Sequence, residues 1–197
     1  IKPGTVIKMK ANTSFNAPAG TLNCVGKPDS LVVFTMADGE TGYVGQIIIY
    51  DPIEYVKFTG IKSNASYMLT VRGLTNCIVE NCYTSVYAFD HAKDVLTKCN
   101  IFYNTGQYGG GAAVYNGTKT YINSNIYGNE YKTNLTLNIS QNLEKTNSFC
   151  NKSNLNGDLI SVVYDQSTPL KYTPEQPNYL GSAREDIVSN WVIDMLH

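Results

Sequence analysis

Charge is scarce in this chain, and arginine is nearly missing. Only 16% of the 197 residues are charged, the net charge is −1, and the pI lies near 6.1. So neutral a chain carries no electrostatic footprint for nucleic acid or an anionic membrane. Arg72 and Arg184 are the only arginines, and there is one Trp. No run of 18 apolar residues occurs, so no segment predicts a membrane span. The five cysteines (Cys24, Cys77, Cys82, Cys99, Cys150) are odd in number, and no His lies close enough in sequence to complete a zinc site. They read as free thiols used as small core residues, with no metal and no cofactor implied. No leader is recognisable and the chain opens in mid-strand at Ile1, which predicts a mature or excised piece of a larger multidomain protein.

What is present is a recurring pattern in a globular composition, 43% hydrophobic. The segments KDVLTKCNIFYN (Lys93 to Asn104), TKTYINSNIYGN (Thr118 to Asn129) and NLEKTNSFCNK (Asn142 to Lys152) align Ile101 with Ile126 and Phe149. The steps are 25 (126−101) and 23 (149−126). One copy back, NCIVENCYTS (Asn76 to Ser85) places Cys82 over Cys99 and Val79 over Leu96, a step of 17 (99−82). Self-similarity at twenty-odd residues is the signature of a solenoid. The repeating residues favour strands, which excludes helical repeats and predicts a β-solenoid of about seven or eight coils of about 20–25 residues.

Along the chain, Thr5–Lys10, Leu31–Met36, Ile47–Tyr50 and Tyr55–Ile61 read as strands, broken at Asp51-Pro52 where a residue without an N–H belongs at a corner. Tyr67–Arg72 and Cys77–Val79 read as strands with 73–76 turning between them. Gly109-Gly110-Gly111 fits neither phosphate-binding pattern and reads as a tight corner. A last strand is expected at Leu159–Tyr164. Near the end, Ile187, Val188, Trp191, Val192 and Met195 form one face of a helix beginning near Ser182, with Glu185 and Asp186 in its first turn.

IKPGTVIKMK and GTLNCVGKPDSLVVFT resemble the opening coils of right-handed parallel β-helix domains, the pectate-lyase-like fold of secreted and surface proteins. Gly4 to Lys8, Gly20 to Gly26 and Leu31 to Thr35 match in order and spacing. The terminal PNYLGS is similar to the Asn-Tyr-Trp-Gly segment that closes many such domains, with Leu180 where Trp is usual. The resemblance implies an all-β, right-handed, single-stranded parallel β-helix over residues 1–165, then a connection and capping helix over 166–197. It also implies secretion or display at the cell surface, and a carbohydrate ligand.

Catalytic candidates are few. The resemblance to pectinolytic hydrolases would require Asn-Thr-Asp, paired Asp-Asp, Gly-His-Gly and Arg-Ile-Lys motifs, all missing here. Asp90-His91 is the only acid–His neighbour pair and could act as acid and base, with Lys93 beside it. A lyase would need a base, for which Arg72 with Lys93 or Lys98 is the available set. Asp38 and Glu40 supply too few oxygens for calcium and read as a solvated turn. Tyrosine is in surplus, at 15 residues, and Tyr83, Tyr103 and Tyr127 on successive coils are the expected sugar-stacking platforms. Six Asn-x-Ser/Thr sites, at Asn12, Asn64, Asn116, Asn134, Asn138 and Asn151, would mark exposed surface if glycosylated. The sequence leans toward a non-catalytic, adhesin-like carbohydrate-binding module, with a lyase or hydrolase of acidic polysaccharide as the alternative.

Overall fold

The computed structural model describes residues 1–65, 67–84, 87–89, 95–106, 120–127, 129–131, 143–144, 147–149 and 152–153. Over these the chain is all-β, and no helix occurs among the described residues. The first strands are β1 (Val6–Met9), β2 (Phe15–Ala17), β3 (Val32–Met36), β4 (Ile47–Ile49), β5 (Ile53–Glu54), β6 (Val56–Thr59) and β7 (Lys62–Ser63). Next come β8 (Tyr67–Val71), β9 (Gly73–Thr75), β10 (Ile78–Glu80), β11 (Tyr83–Thr84), β12 (Tyr87–Phe89), β13 (Val95–Thr97), β14 (Asn100–Phe102) and β15 (Thr105–Gly106). The last are β16 (Thr120–Ile122), β17 (Asn125–Tyr127), β18 (Glu130–Tyr131), β19 (Leu143–Glu144), β20 (Asn147–Phe149) and β21 (Lys152–Ser153).

These strands build four parallel sheets: β1-β3-β6-β10-β14-β17-β20, β2-β4-β8-β12, β5-β9-β13-β16-β19 and β7-β11-β15-β18-β21. Registers advance in common. Lys57 lies opposite Ile78, Ile78 opposite Asn100, Asn100 opposite Asn125, and Asn125 opposite Asn147, at steps of 21 (78−57), 22 (100−78), 25 (125−100) and 22 (147−125). The sheet starting at β5 repeats those four steps through Ile53, Leu74, Leu96, Tyr121 and Leu143. The sheet starting at β7 repeats them again through Lys62, Tyr83, Thr105, Glu130 and Lys152. Three sheets thus grow by one strand for each same length of chain, an arrangement compatible with a parallel β-helix. Each such length is one rung.

Apolar, largely β-branched and aromatic residues line the interior, as half-buried pleated strands require. Ile47 and Ile49 are buried while Ile48 between them is half-exposed. Phe34 and Phe58, in register on β3 and β6, are fully buried with ring centroids 5.1 Å apart. Phe15 meets Phe34 edge-on at 5.3 Å. Met68 to Val71 and Ile78 to Glu80 are buried on both faces, so alternation vanishes there.

Backbone groups at the corners are met by stacked side chains and by left-handed residues. Tyr55, Asn76, Lys98 and Asn123 occupy one corner on four rungs, with φ of 52°, 53°, 54° and 48°. Gly60, Asn81 and Tyr103 form a second such column at 65°, 51° and 54°. A third column joins Cys82, Asn104 and Asn129. The Asn104 carboxamide accepts from Cys82 N (2.9 Å) and donates to Val79 O (2.9 Å), while Asn129 Oδ1 accepts from Asn104 N (3.0 Å). Both asparagines are buried.

Three sequence expectations are corrected. Ile101 pairs with Ile126 as expected, but Ile126 then pairs with Ser148, and Phe149 with Tyr127, so the last step is 22 rather than 23. Val79 pairs with Ile101 and Leu96 with Leu74, so the 17-residue step does not exist. Cys99 accordingly stacks over Cys77, whose carbonyl accepts from Asn100 N, and not over Cys82. Finally, Gly73–Thr75 is a strand rather than a turn, pairing with both β5 and β13. The capping helix, the strand at 159–164, the glycine run at 109–111 and residues 166–197 lie outside the described residues.

Candidate functional site

In the sheet that contains β7, β11 and β15, burial alternates along β7 and β15. Ser63 and Gly106 are buried, whereas Lys62 is exposed and Tyr83 and Thr105 are partly so. The preceding loop joins this sheet through a bridge between Val44 and Ser63, with Val44 N donating to Lys62 O at 2.8 Å. That hydrogen bond puts Tyr43, next to Val44, on the same outward row as Lys62 and Tyr83. The Tyr43 and Tyr83 rings meet at 5.8 Å between centroids, tilted by 52°, and Tyr43 remains 42% exposed. The result is an aromatic surface flanking a lysine on one face of a parallel sheet. Rings of this kind offer apolar area with a wet hydroxyl, the chemistry that stacks on a pyranose. Nothing local in the sequence marks Tyr43 and Lys62 as binding residues, because the pairing arises from a rung register that local spacing does not reveal.

The three tyrosines expected as platforms belong to different elements, β11, the corner after β14, and β17. Tyr83 is on the face just described. Tyr103 sits at the left-handed corner after β14, edge-on to Phe102 at 5.5 Å. Tyr127 is in the largest sheet, in register between Phe102 and Phe149. Asp90, His91 and Lys93 lie outside the described residues. Arg72 is exposed, its guanidinium 5.9 Å from the centre of the Tyr50 ring. It stands near Asp51, whose carboxylate accepts from Gly20 N (2.7 Å) and Leu22 N (3.0 Å). Those two amides hold the Asp51 carboxyl below its ordinary pKa, and the Arg72 charge adds to the effect.

Several other ionisable groups have structural roles. Asp38 pairs with Lys8, and Glu40 accepts from Ala11 N, so both carboxylates of the loop weighed for calcium are engaged within the chain. Glu80 bonds Lys57 at 2.7 Å and Thr59 Oγ1 at 3.0 Å. Among the described residues no three His, Cys, Asp or Glu side chains converge on a metal position. Cys24, Cys77, Cys82 and Cys99 are buried and unbridged, and Cys150 lies outside the described residues. Burial pushes the Cys82 thiol up to about 12 and raises those of Cys24 and Cys77 as well. Thiols so protonated are poor nucleophiles.

Among the described residues no helix is long and apolar enough to cross a membrane. No family model, no curated protein and no solved structure matches the chain.

Proposed function

We propose that the chain is a right-handed parallel β-helix that binds carbohydrate on the face carrying Tyr43, Lys62 and Tyr83, without catalysis of its own. The β-helix reading is supported by the common steps of 21, 22, 25 and 22 in three sheets. One chain wound repeatedly in one sense adds a strand to every sheet per turn, and parallel crossovers are right-handed in nearly all proteins. The binding reading is carried by the Tyr43–Tyr83 pair, a large and partly exposed aromatic surface beside a cationic side chain. Display outside the cell, as one module of a longer protein, fits such a role.

A glycan array followed by titration of the best ligand tests this. Tyr43→Ala and Tyr83→Ala should each weaken binding about five-fold or more, near 1 kcal/mol, the scale of one lost aromatic contact. Tyr103→Ala, at the corner, should bind as the parent does. Absence of any glycan bound above background, or unchanged affinity in both face variants, would overturn the proposal. So would steady release of unsaturated or reducing sugar by the purified chain, which would favour the enzymatic alternative.

A further inference from the structure

We propose that Cys77 and Cys99 are a redox pair, closed into a rung-to-rung disulfide by small-molecule disulfides. Their placement is fixed from both sides. Thr75 lies opposite Thr97, and Ile78 opposite Asn100, so the two cysteines between these pairs face each other on adjacent rungs. Asn100 N donates to Cys77 O at 3.0 Å, which locks that register at the cysteines themselves.

Both side chains adopt the same pose. Cys77 Sγ lies 3.2 Å from Thr75 O and Cys99 Sγ 3.3 Å from Thr97 O. Each also reaches the carbonyl one rung back, Cys77 to Ile53 O at 3.8 Å and Cys99 to Leu74 O at 3.4 Å. Ile53 and Leu74 are themselves in register, so the thiols form one column inside the core. Neighbouring parallel strands stand about 4.8 Å apart, within the Cα separation of roughly 4.4–6.8 Å that a disulfide spans. Cys82 has no such partner, because Asn104 occupies its place on the next rung.

The chemistry balances as two exchanges. One cysteine thiolate attacks the oxidant disulfide, forming a mixed disulfide and releasing one small thiol. The second cysteine displaces the other small thiol and closes the protein disulfide. The two protons leave on the two released thiols, and the two electrons pass to the oxidant. Both cysteines are fully or almost fully buried, and burial disfavours the Cys77 thiolate, so exchange proceeds through local opening of the rung. Closure ties a 22-residue turn (99−77) and restricts the unfolded chain.

The test treats the reduced full chain with glutathione disulfide, alkylates residual thiols and maps peptides without reductant. The expected result is a single linked pair joining Cys77 to Cys99, two fewer free thiols, and a melting temperature higher by ~5–10 °C. All three changes should reverse with dithiothreitol. Cys82→Ser should keep the link, while Cys77→Ser and Cys99→Ser should each lose it. Absence of the Cys77–Cys99 peptide, a link between any other two cysteines, or a lower melting temperature in the linked form would overturn the proposal. The wild-type peptide map decides the matter even if a serine variant fails to fold.

Discussion

Replacing Asn104 with alanine should be among the most damaging single changes of a polar residue in this chain. The residue is only 1% exposed, and its carboxamide serves three groups. It accepts from Cys82 N at 2.9 Å and donates to Val79 O at 2.9 Å and to Asn129 Oδ1 at 3.1 Å. Alanine leaves the Cys82 amide and the Val79 carbonyl without these partners inside the protein, at about 1–3 kcal/mol each. Asn129 Oδ1 keeps its bond from the Asn104 backbone amide and adds little to the loss. The expected destabilisation is therefore ~2–6 kcal/mol, against less than about 0.5 kcal/mol for an exposed position such as Lys27→Ala. Asn104→Asp should also be costly, because a carboxylate cannot donate to Val79 O and would face Asn129 Oδ1. Urea unfolding followed by circular dichroism measures this as a shift in midpoint at constant slope. An Asn104→Ala midpoint matching that of Lys27→Ala would refute the view that corner asparagines hold adjacent rungs together.

Phe58→Ala should cost about 3–5 kcal/mol in the same assay, since the ring is fully buried and stacked on Phe34; a loss under 1 kcal/mol would place Phe58 outside the core. Asp51 has a lowered pKa in the fold, so its contribution is complete above the ordinary carboxylate range and lost as pH falls through the lower folded value. Thermal melts of wild type should therefore decline more steeply than those of Asp51→Asn below pH ~4, and parallel curves would contradict the Gly20 and Leu22 contacts. At Lys98, with φ of 54°, glycine should raise stability by ~1 kcal/mol and valine lower it by at least as much. Equal stabilities in the two variants would show that the corner is not left-handed.

The sequence already holds the strand composition and the Ile101–Ile126 step, because both come from local patterns that survive on adjacent rungs. Its failure at Phe149 has a simple cause. Alignment by apolar residues matched Phe149 to Ile126, while the position opposite Ile126 carries the small residue Ser148. The asparagines were the better index, since Asn100, Asn125 and Asn147 lie directly opposite one another. The same holds for Cys77, Cys99 and Ser124, which occupy one position as small groups that bond backbone carbonyls of the rung before. Residue identity alone points Cys99 to Cys82, whereas the left-handed residues Asn76, Lys98 and Asn123 mark the true register. The Tyr43–Tyr83 face was illegible for a related reason. Those residues are 40 apart (83−43) and are brought together by the register that aligns both with Lys62.

The register of the largest sheet can be measured directly by interstrand backbone NOEs in isotopically labelled protein. Parallel pairing predicts contacts linking the strands at Asn100, Asn125 and Asn147 at steps of 25 and 22, with the Asn125 amide close to Cys99. Strong cross-strand Hα–Hα contacts, which mark antiparallel neighbours about 4.5 Å apart at Cα, would contradict the fold. A set of contacts displaced throughout by one residue, with the Asn125 amide close to Lys98 or Asn100 in place of Cys99, would contradict the register.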